Sequence, residues 1–153
     1  MTPSRLARSA GLVLLVLVVA AAAWWARQRA AAPAAVLLPA APCEPRGRAC
    51  EAASEGVRIS LELPPRVPYL VRFPATVRVG GIEGVAGVQV RFAMEGMDMG
   101  VQPVALRRAA AGTWRGTAVL PVCASGRRDW TAEVEVIAGG GRWRARFGFA
   151  AGG

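Results

Sequence analysis

The 153-residue chain contains no histidine and no lysine. Without imidazole there is no Ser–His–Asp triad, no His-ligated zinc hydrolase site and no His-held haem or Cu(II). Without lysine a GxxxxGK[ST] phosphate loop cannot be completed, and no such loop occurs. Acids are scarce too: ten against nineteen basic residues, all arginine, for a formal net charge of +9. Few routes to catalysis remain, so the chain is expected not to be an enzyme. From residue 30 onward 15 arginines face 10 acids, leaving that part only mildly basic. Those arginines alternate with apolar residues, which predicts solvated strand faces and no nucleic-acid partner. A mild attraction to an anionic membrane surface is the other consequence of this charge.

What is present begins with a long apolar run. Residues 9–26 read SAGLVLLVLVVAAAAWWA, eighteen positions without a charge. As a helix rising about 1.5 Å per residue this covers roughly 27 Å, close to the thickness of a hydrocarbon core. Arg5 and Arg8 precede the run, Trp24 and Trp25 close it, and Arg27 and Arg29 follow. Indole rings favour the membrane interface. Residues 1–29 are therefore expected to be an N-terminal transmembrane helix in the bacterial inner (cytoplasmic) membrane, single-pass, with the C-terminal domain in the periplasm. A cleaved signal peptide is the rival reading. Its apolar region usually takes about 7–15 residues, and a small-residue cleavage site follows. Arginines directly after the run suit cleavage poorly, although the alanines at 30–35 offer a site. Residues 30–56, Ala/Pro-rich at the start, are expected to act as a tether.

From residue 57 to 150 the apolar period is two. VRISLEL (57–63) turns Val57, Ile59, Leu61 and Leu63 to one side, and VRFPATVRV (71–79) turns Val71, Phe73, Ala75, Val77 and Val79 inward. Pro74 in that run suits an edge strand. VAGVQVRFAM (85–94) buries Val88, Val90, Phe92 and Met94, and a weaker run covers 101–107. TWRGTAVLP (113–121), WTAEVEVI (130–137) and RWRARFGF (142–149) bury Trp114, Leu120, Trp130, Val134, Val136, Trp143, Ala145, Phe147 and Phe149. Glycine-containing breaks separate most runs. About seven short alternating strands predict an all-β domain, an immunoglobulin-like β-sandwich.

Cysteines stand at 43, 50 and 123. The odd count leaves one free or intermolecular. Cys43 and Cys50 enclose EPRGRA, whose Pro45 and Gly47 suit a tight turn, and they are natural disulfide partners in an oxidising compartment. A metal or redox pair is the other reading of these two, although their gap is not CxxC.

After the initiator, every methionine lies within six residues, in FAMEGMDMG (92–100). Met94, Met97 and Met99 are soft, proton-independent donors that favour Cu(I). Strands alternating up and down would put the loop after the third run and the loop after the fifth at one end. Cys123 would then lie beside Met97 and Met99, and Cys50 at the opposite end. Two other readings stay open: turn chemistry with methionines packing over the end of the sandwich, and a hydrophobic loop for docking a partner.

With GTWRGTAVLP and GRRDWTAEVEV after the Met-rich turn, the chain resembles the FixH-like and YtkA-like membrane-anchored periplasmic proteins. The matching positions are Gly112, Trp114, Gly116, Leu120, Pro121, Gly126 and Trp130. The resemblance implies copper handling or cytochrome oxidase assembly at the membrane. The expectation is thus a membrane-tethered periplasmic accessory protein that binds Cu(I) through Met94, Met97, Met99 and Cys123. Its partners would be the membrane and a membrane protein or copper acceptor. A protein–protein interaction module without metal is the alternative.

Overall fold

The computed structural model describes residues 5–30, 34–97 and 103–152. The chain divides after Pro33 into two units. The first carries one helix, α1 (Arg5–Ala30). Among the described residues no helix is long and apolar enough to cross a membrane.

The second unit is β throughout. Its strands are β1 (Val36–Leu38), β2 (Cys50–Ser54), β3 (Val57–Glu62), β4 (Phe73–Gly80) and β5 (Val85–Ala93), then β6 (Val104–Ala110), β7 (Thr113–Ala118), β8 (Asp129–Ala138) and β9 (Gly141–Ala150). They form one sheet in the order β1-β9-β8-β5-β6-β7-β4-β3-β2. All pairings are antiparallel except β1 with β9. The sheet nearly closes on itself, because just past β1 Ala40 bridges Ala52 of β2 and the Ala53 N–H donates to the Pro39 carbonyl at 3.3 Å. Away from that seam, β6 changes neighbours partway along. Val104 and Leu106 pair with β5, whereas Arg107, Arg108 and Ala110 pair with β7.

Alternation explains the core. Ile59, Leu61, Phe73, Ala75, Val77, Val88, Val90, Phe92, Trp130, Ala132, Val134, Val136, Ala145, Phe147 and Phe149 all turn inward and are buried. Phe92 meets Phe73 and Phe149 edge-on, with ring centroids 5.7 and 6.0 Å apart, a favoured aromatic geometry. Pro74 does not mark an edge strand, since β4 lies between β3 and β7. Pairing with β3 begins only at Thr76, so β4 is locally an edge at Pro74, where a missing N–H is tolerated. Val71, expected inside, is exposed and precedes β4.

The stretch 30–56 differs most from expectation. It supplies two strands, β1 and β2, in place of a tether running to residue 56, and among the described residues there are nine strands, not seven. The turn from β2 to β3 is two residues, Glu55 (φ 50) and Gly56 (φ 81). Positive φ at both central positions is the hairpin geometry that matches strand twist. That reversal also moves Cys50. We call "upper" the end where Ala93 faces Thr131 and "lower" the end where Val85 faces Ala138. Following the ladder round, β3 rises and β2 descends, so Cys50 starts at the upper end and not, as expected, at the end opposite Cys123.

Cys43 and Cys50 form a disulfide with Cα atoms 5.7 Å apart. Closing so short a loop contributes roughly 2–3 kcal/mol on the chain-entropy estimate. The loop is pinned on both flanks. Gly47 N–H donates to Leu63 O at 2.8 Å and Leu63 N–H to Pro45 O at 2.7 Å. Ala150 N–H of β9 donates to Glu44 Oε1 at 2.7 Å, and Arg46 Nε lies 2.7 Å from the same oxygen. The Ala150 N–H first, and Arg46 second, hold the Glu44 carboxyl below its usual range. A carboxylate depressed in the folded state adds stability above its unfolded pKa of about 4.3. That stability is lost as pH falls through the lower folded value. Urea unfolding of Glu44→Gln is therefore expected to show a lower midpoint than the parent at pH 7, with the gap narrowing as the medium is acidified below about pH 4. A gap independent of pH would assign the loss to packing alone.

Candidate functional site

Four connections converge on the upper end: the turn after β5, the long loop from β7 to β8, the loop from β1 to β2 and the loop from β3 to β4. The first carries Met94 and Met97. Met94 continues the inward alternation of β5 and is buried in the core. Met97 closes the turn, its N–H donating to the Met94 carbonyl at 3.2 Å, and it packs partly buried against the core. Met99, expected as a third thioether, lies outside the described residues.

The second connection carries Cys123, a free thiol buried at 4% exposure. Gly126 N–H donates to Cys123 O at 3.0 Å, forming a tight turn with Gly126 at φ +72. The turn brings Ser125 back over the sulfur, with Cys123 Sγ and Ser125 Oγ sharing a hydrogen bond at 2.9 Å. Met97 Sδ lies 3.9 Å from Cys123 Sγ and 3.9 Å from Ser125 Oγ. Two of the expected sulfur donors, Met97 and Cys123, are thus brought together from separate stretches. Met94 belongs to the core below them.

Arg127 ties the two loops together. Its Nη1 donates to the Glu95 carbonyl of the methionine turn at 3.0 Å. Its Nε donates to Asp129 Oδ1 at 3.0 Å, and its Nη2 to Asp129 Oδ2. The bidentate pair holds Asp129 below the usual carboxylate range and raises Arg127. The Ser125 hydroxyl is the main cause that lowers the Cys123 thiol. Burial opposes it, while backbone N–H groups of Ser125 and Arg127 and the Arg127 charge assist. Ser125 and Arg127 escaped the sequence reading; the only signal was the turn-forming ASG (124–126) directly after the cysteine.

Below this loop, Tyr69 braces the upper end. Its hydroxyl donates toward Arg127 O and Ala151 O at 3.4 and 3.5 Å and accepts from Trp130 Nε1 at 3.4 Å. Next to it Leu70 N–H donates to Leu120 O at 2.8 Å, with Leu70 held at φ 58. Leu70, Val71, Val119 and Val122 are exposed on these two loops, an aliphatic rim at the upper end.

Among the described residues no group of three or more His, Cys, Asp or Glu side chains is placed to hold a metal ion. The donors that fit a soft ion are the sulfurs. Two sulfurs 3.9 Å apart, each about 2.3 Å from a shared ion, subtend roughly 115° at it. That is a bent pair, suited to trigonal or tetrahedral coordination and not to a linear one.

No protein-family model matches the chain, and no curated protein matches it. Among solved structures the chain is similar to an engineered protein, at 22% identity and a TM-score of 0.43, over 60% of this chain and 19% of that one. A likeness this loose carries no argument about fold or function.

Replacing Ser125 by Ala is expected to move the Cys123 titration upward, and Ser125→Thr to move it back. Cys123 is the free cysteine, so thiolate ultraviolet absorbance against pH reports it directly. An unchanged titration in Ser125→Ala would show that the hydroxyl is not what lowers the thiol.

Proposed function

We propose that the protein is a membrane-tethered periplasmic accessory protein that binds Cu(I) at Met97 and Cys123, for delivery to a membrane-bound acceptor or oxidase under assembly. The observation that carries this reading is the 3.9 Å approach of a thioether and a thiol from two different loops. Soft sulfur donors select Cu(I), and a coordinating thiol is held as its thiolate. A lowered Cys123 titration favours that state. Met99, two positions beyond Met97 in the sequence, is the further thioether of the proposed donor set, while Met94 packs in the core. The resemblance to FixH-like and YtkA-like proteins supports the same class.

The tether rests on the charge-free stretch 9–26 with its flanking arginines and tryptophans. For the strand unit, an immunoglobulin-like two-layer arrangement is the finer reading. It is supported by β6 dividing its pairing between β5 and β7, as a strand does when it passes between layers.

Titration of the full chain with Cu(I) under reducing conditions tests the proposal. One equivalent is expected to bind. Cys123→Ser and Met97→Leu are each expected to weaken binding by tenfold or more, the order of one lost charge-bearing or soft contact. Absence of stoichiometric binding, or binding indifferent to both substitutions, would remove the copper role. A second reading, docking of a partner protein without metal, is favoured by the exposed rim of Leu70, Val71, Val119 and Val122. A partner complex that survives copper chelation and Met97→Leu but fails with Leu70→Asp would select it.

A further inference from the structure

The arginines of the sheet are treated in two different ways. On β8 and β9 the arginines meet acids: Arg146 lies opposite Glu133 and Arg144 opposite Glu135, while Arg142, opposite Ile137, reaches Glu135 at 3.4 Å. Ion pairs follow, with Arg146 Nε 2.7 Å from Glu133 and Arg144 Nη2 3.5 Å from Glu135. On β6 and β7 the register instead sets Arg107 directly opposite Arg115. Like charges in that relation destabilise a sheet. Neither has an ion-pair or hydrogen-bond partner among the described residues, and Glu62, on the same face, is engaged by Arg78 at 3.3 Å.

Arg107 and Arg115 both line one depression of about 440 Å³. Its floor and walls include Gly116, Thr117 and Pro74. The floor is glycine because of close packing: a Cβ at 116 would collide with Leu106 Cδ2. The alternation of β7 puts the Thr117 hydroxyl on the same outer face as Arg115. Two permanent cations, a hydroxyl and a hollow between them make a recess complementary to a tetrahedral oxyanion, which guanidinium forks bind bidentately.

We propose that Arg107 and Arg115 are the two arms of a phosphate-binding site on the outer face of β6 and β7. The ligand class is a phosphate group, either free or carried by an anionic lipid headgroup. The depression extends along β6 and β7 from the arginine pair toward Val104 and Thr117. The site uses none of the sulfur donors and does not depend on the copper reading.

The test uses the full chain in uncharged detergent micelles and reads the Nε–H resonances of Arg107 and Arg115. Three probes are added separately: inorganic phosphate, phosphatidylglycerol mixed into the micelles, and phosphatidylcholine as the zwitterionic control. Saturable shifts of both resonances with phosphatidylglycerol and not phosphatidylcholine identify a lipid phosphate site. Saturation by inorganic phosphate alone identifies a site for soluble phosphate. The double variant Arg107→Gln with Arg115→Gln is expected to weaken binding at least tenfold, measured calorimetrically. It should melt no lower than the parent without ligand, since a like-charge pair has been removed. No shift with either phosphate source, or equal binding by the double variant, overturns the proposal.

Discussion

Every strand from β3 to β9 gives one face to a single core, and that demand sets the rest of the structure. A period of two leaves a strand no freedom about which residues go inside once the first is buried. Trp130, Phe92 and Phe147 are fully enclosed, and around them the ladders must curve until β1 and β2 come within reach of each other. The split pairing of β6 is a consequence. A strand of seven residues cannot serve β5 and β7 along its whole length while the sheet bends so tightly, so it serves them in turn. Where β6 has left β7, Gly116 receives Leu106 against its backbone, and the hollow beside Arg115 opens on the outer face.

The same constraint puts the chemistry at one end. Once β5 and β7 both rise, the turns that follow them share the upper end. What then fixes the sulfur pair is mostly backbone. The exposed Arg127–Asp129 pair is worth little as an ion pair, but the third donor of Arg127 reaches the Glu95 carbonyl and joins one loop to the other. Burial of Met94 beneath the turn and of Cys123 beneath its own loop fixes the two ends of that link. The thiol and thioether meet because both loops are anchored in the core a few residues away.

Much of this was legible in the sequence, and the failures have physical causes. RWRARFGF (142–149) and VRISLEL (57–63) carry strong side-to-side contrast, so their strands and inward faces were readable. CEAAS, which forms β2, offers only alanine and cysteine as its apolar face, too little contrast to register. β1 is three residues joined in parallel to a strand more than 100 positions later, a pairing with no local signature. The Glu55–Gly56 turn lacks the Asn-Gly or Asp-Gly mark of its type. Missing that hairpin had one large effect. An uncounted strand inverts the parity of everything before it, which is why Cys50 was expected at the wrong end while Met97 and Cys123, both downstream, were expected beside each other. Ser125 and Arg127 were hidden for another reason: their contacts arise from a turn conformation, not from strand alternation.

The absence of histidine bears on the sulfur pair in a way its geometry alone does not. A donor set containing imidazole loses ligands to protons as pH falls through about 6.5. Met97 has no proton to gain in that range. In the pair, therefore, only Cys123 titrates, and its surroundings shift it toward the ionised form: the Ser125 hydroxyl and two backbone N–H groups hydrogen-bond the sulfur, and Arg127 adds positive charge, against the opposing effect of burial. Asp129 limits the last of these by neutralising Arg127, so the short hydrogen bond to Ser125 dominates over long-range charge. A dipolar cradle of this kind is screened by salt far less than an exposed ion pair. The affinity of the pair for a soft cation would accordingly follow pH through one atom and respond weakly to ionic strength. The reverse holds at Arg107 and Arg115, where two exposed charges act on a ligand from outside the fold.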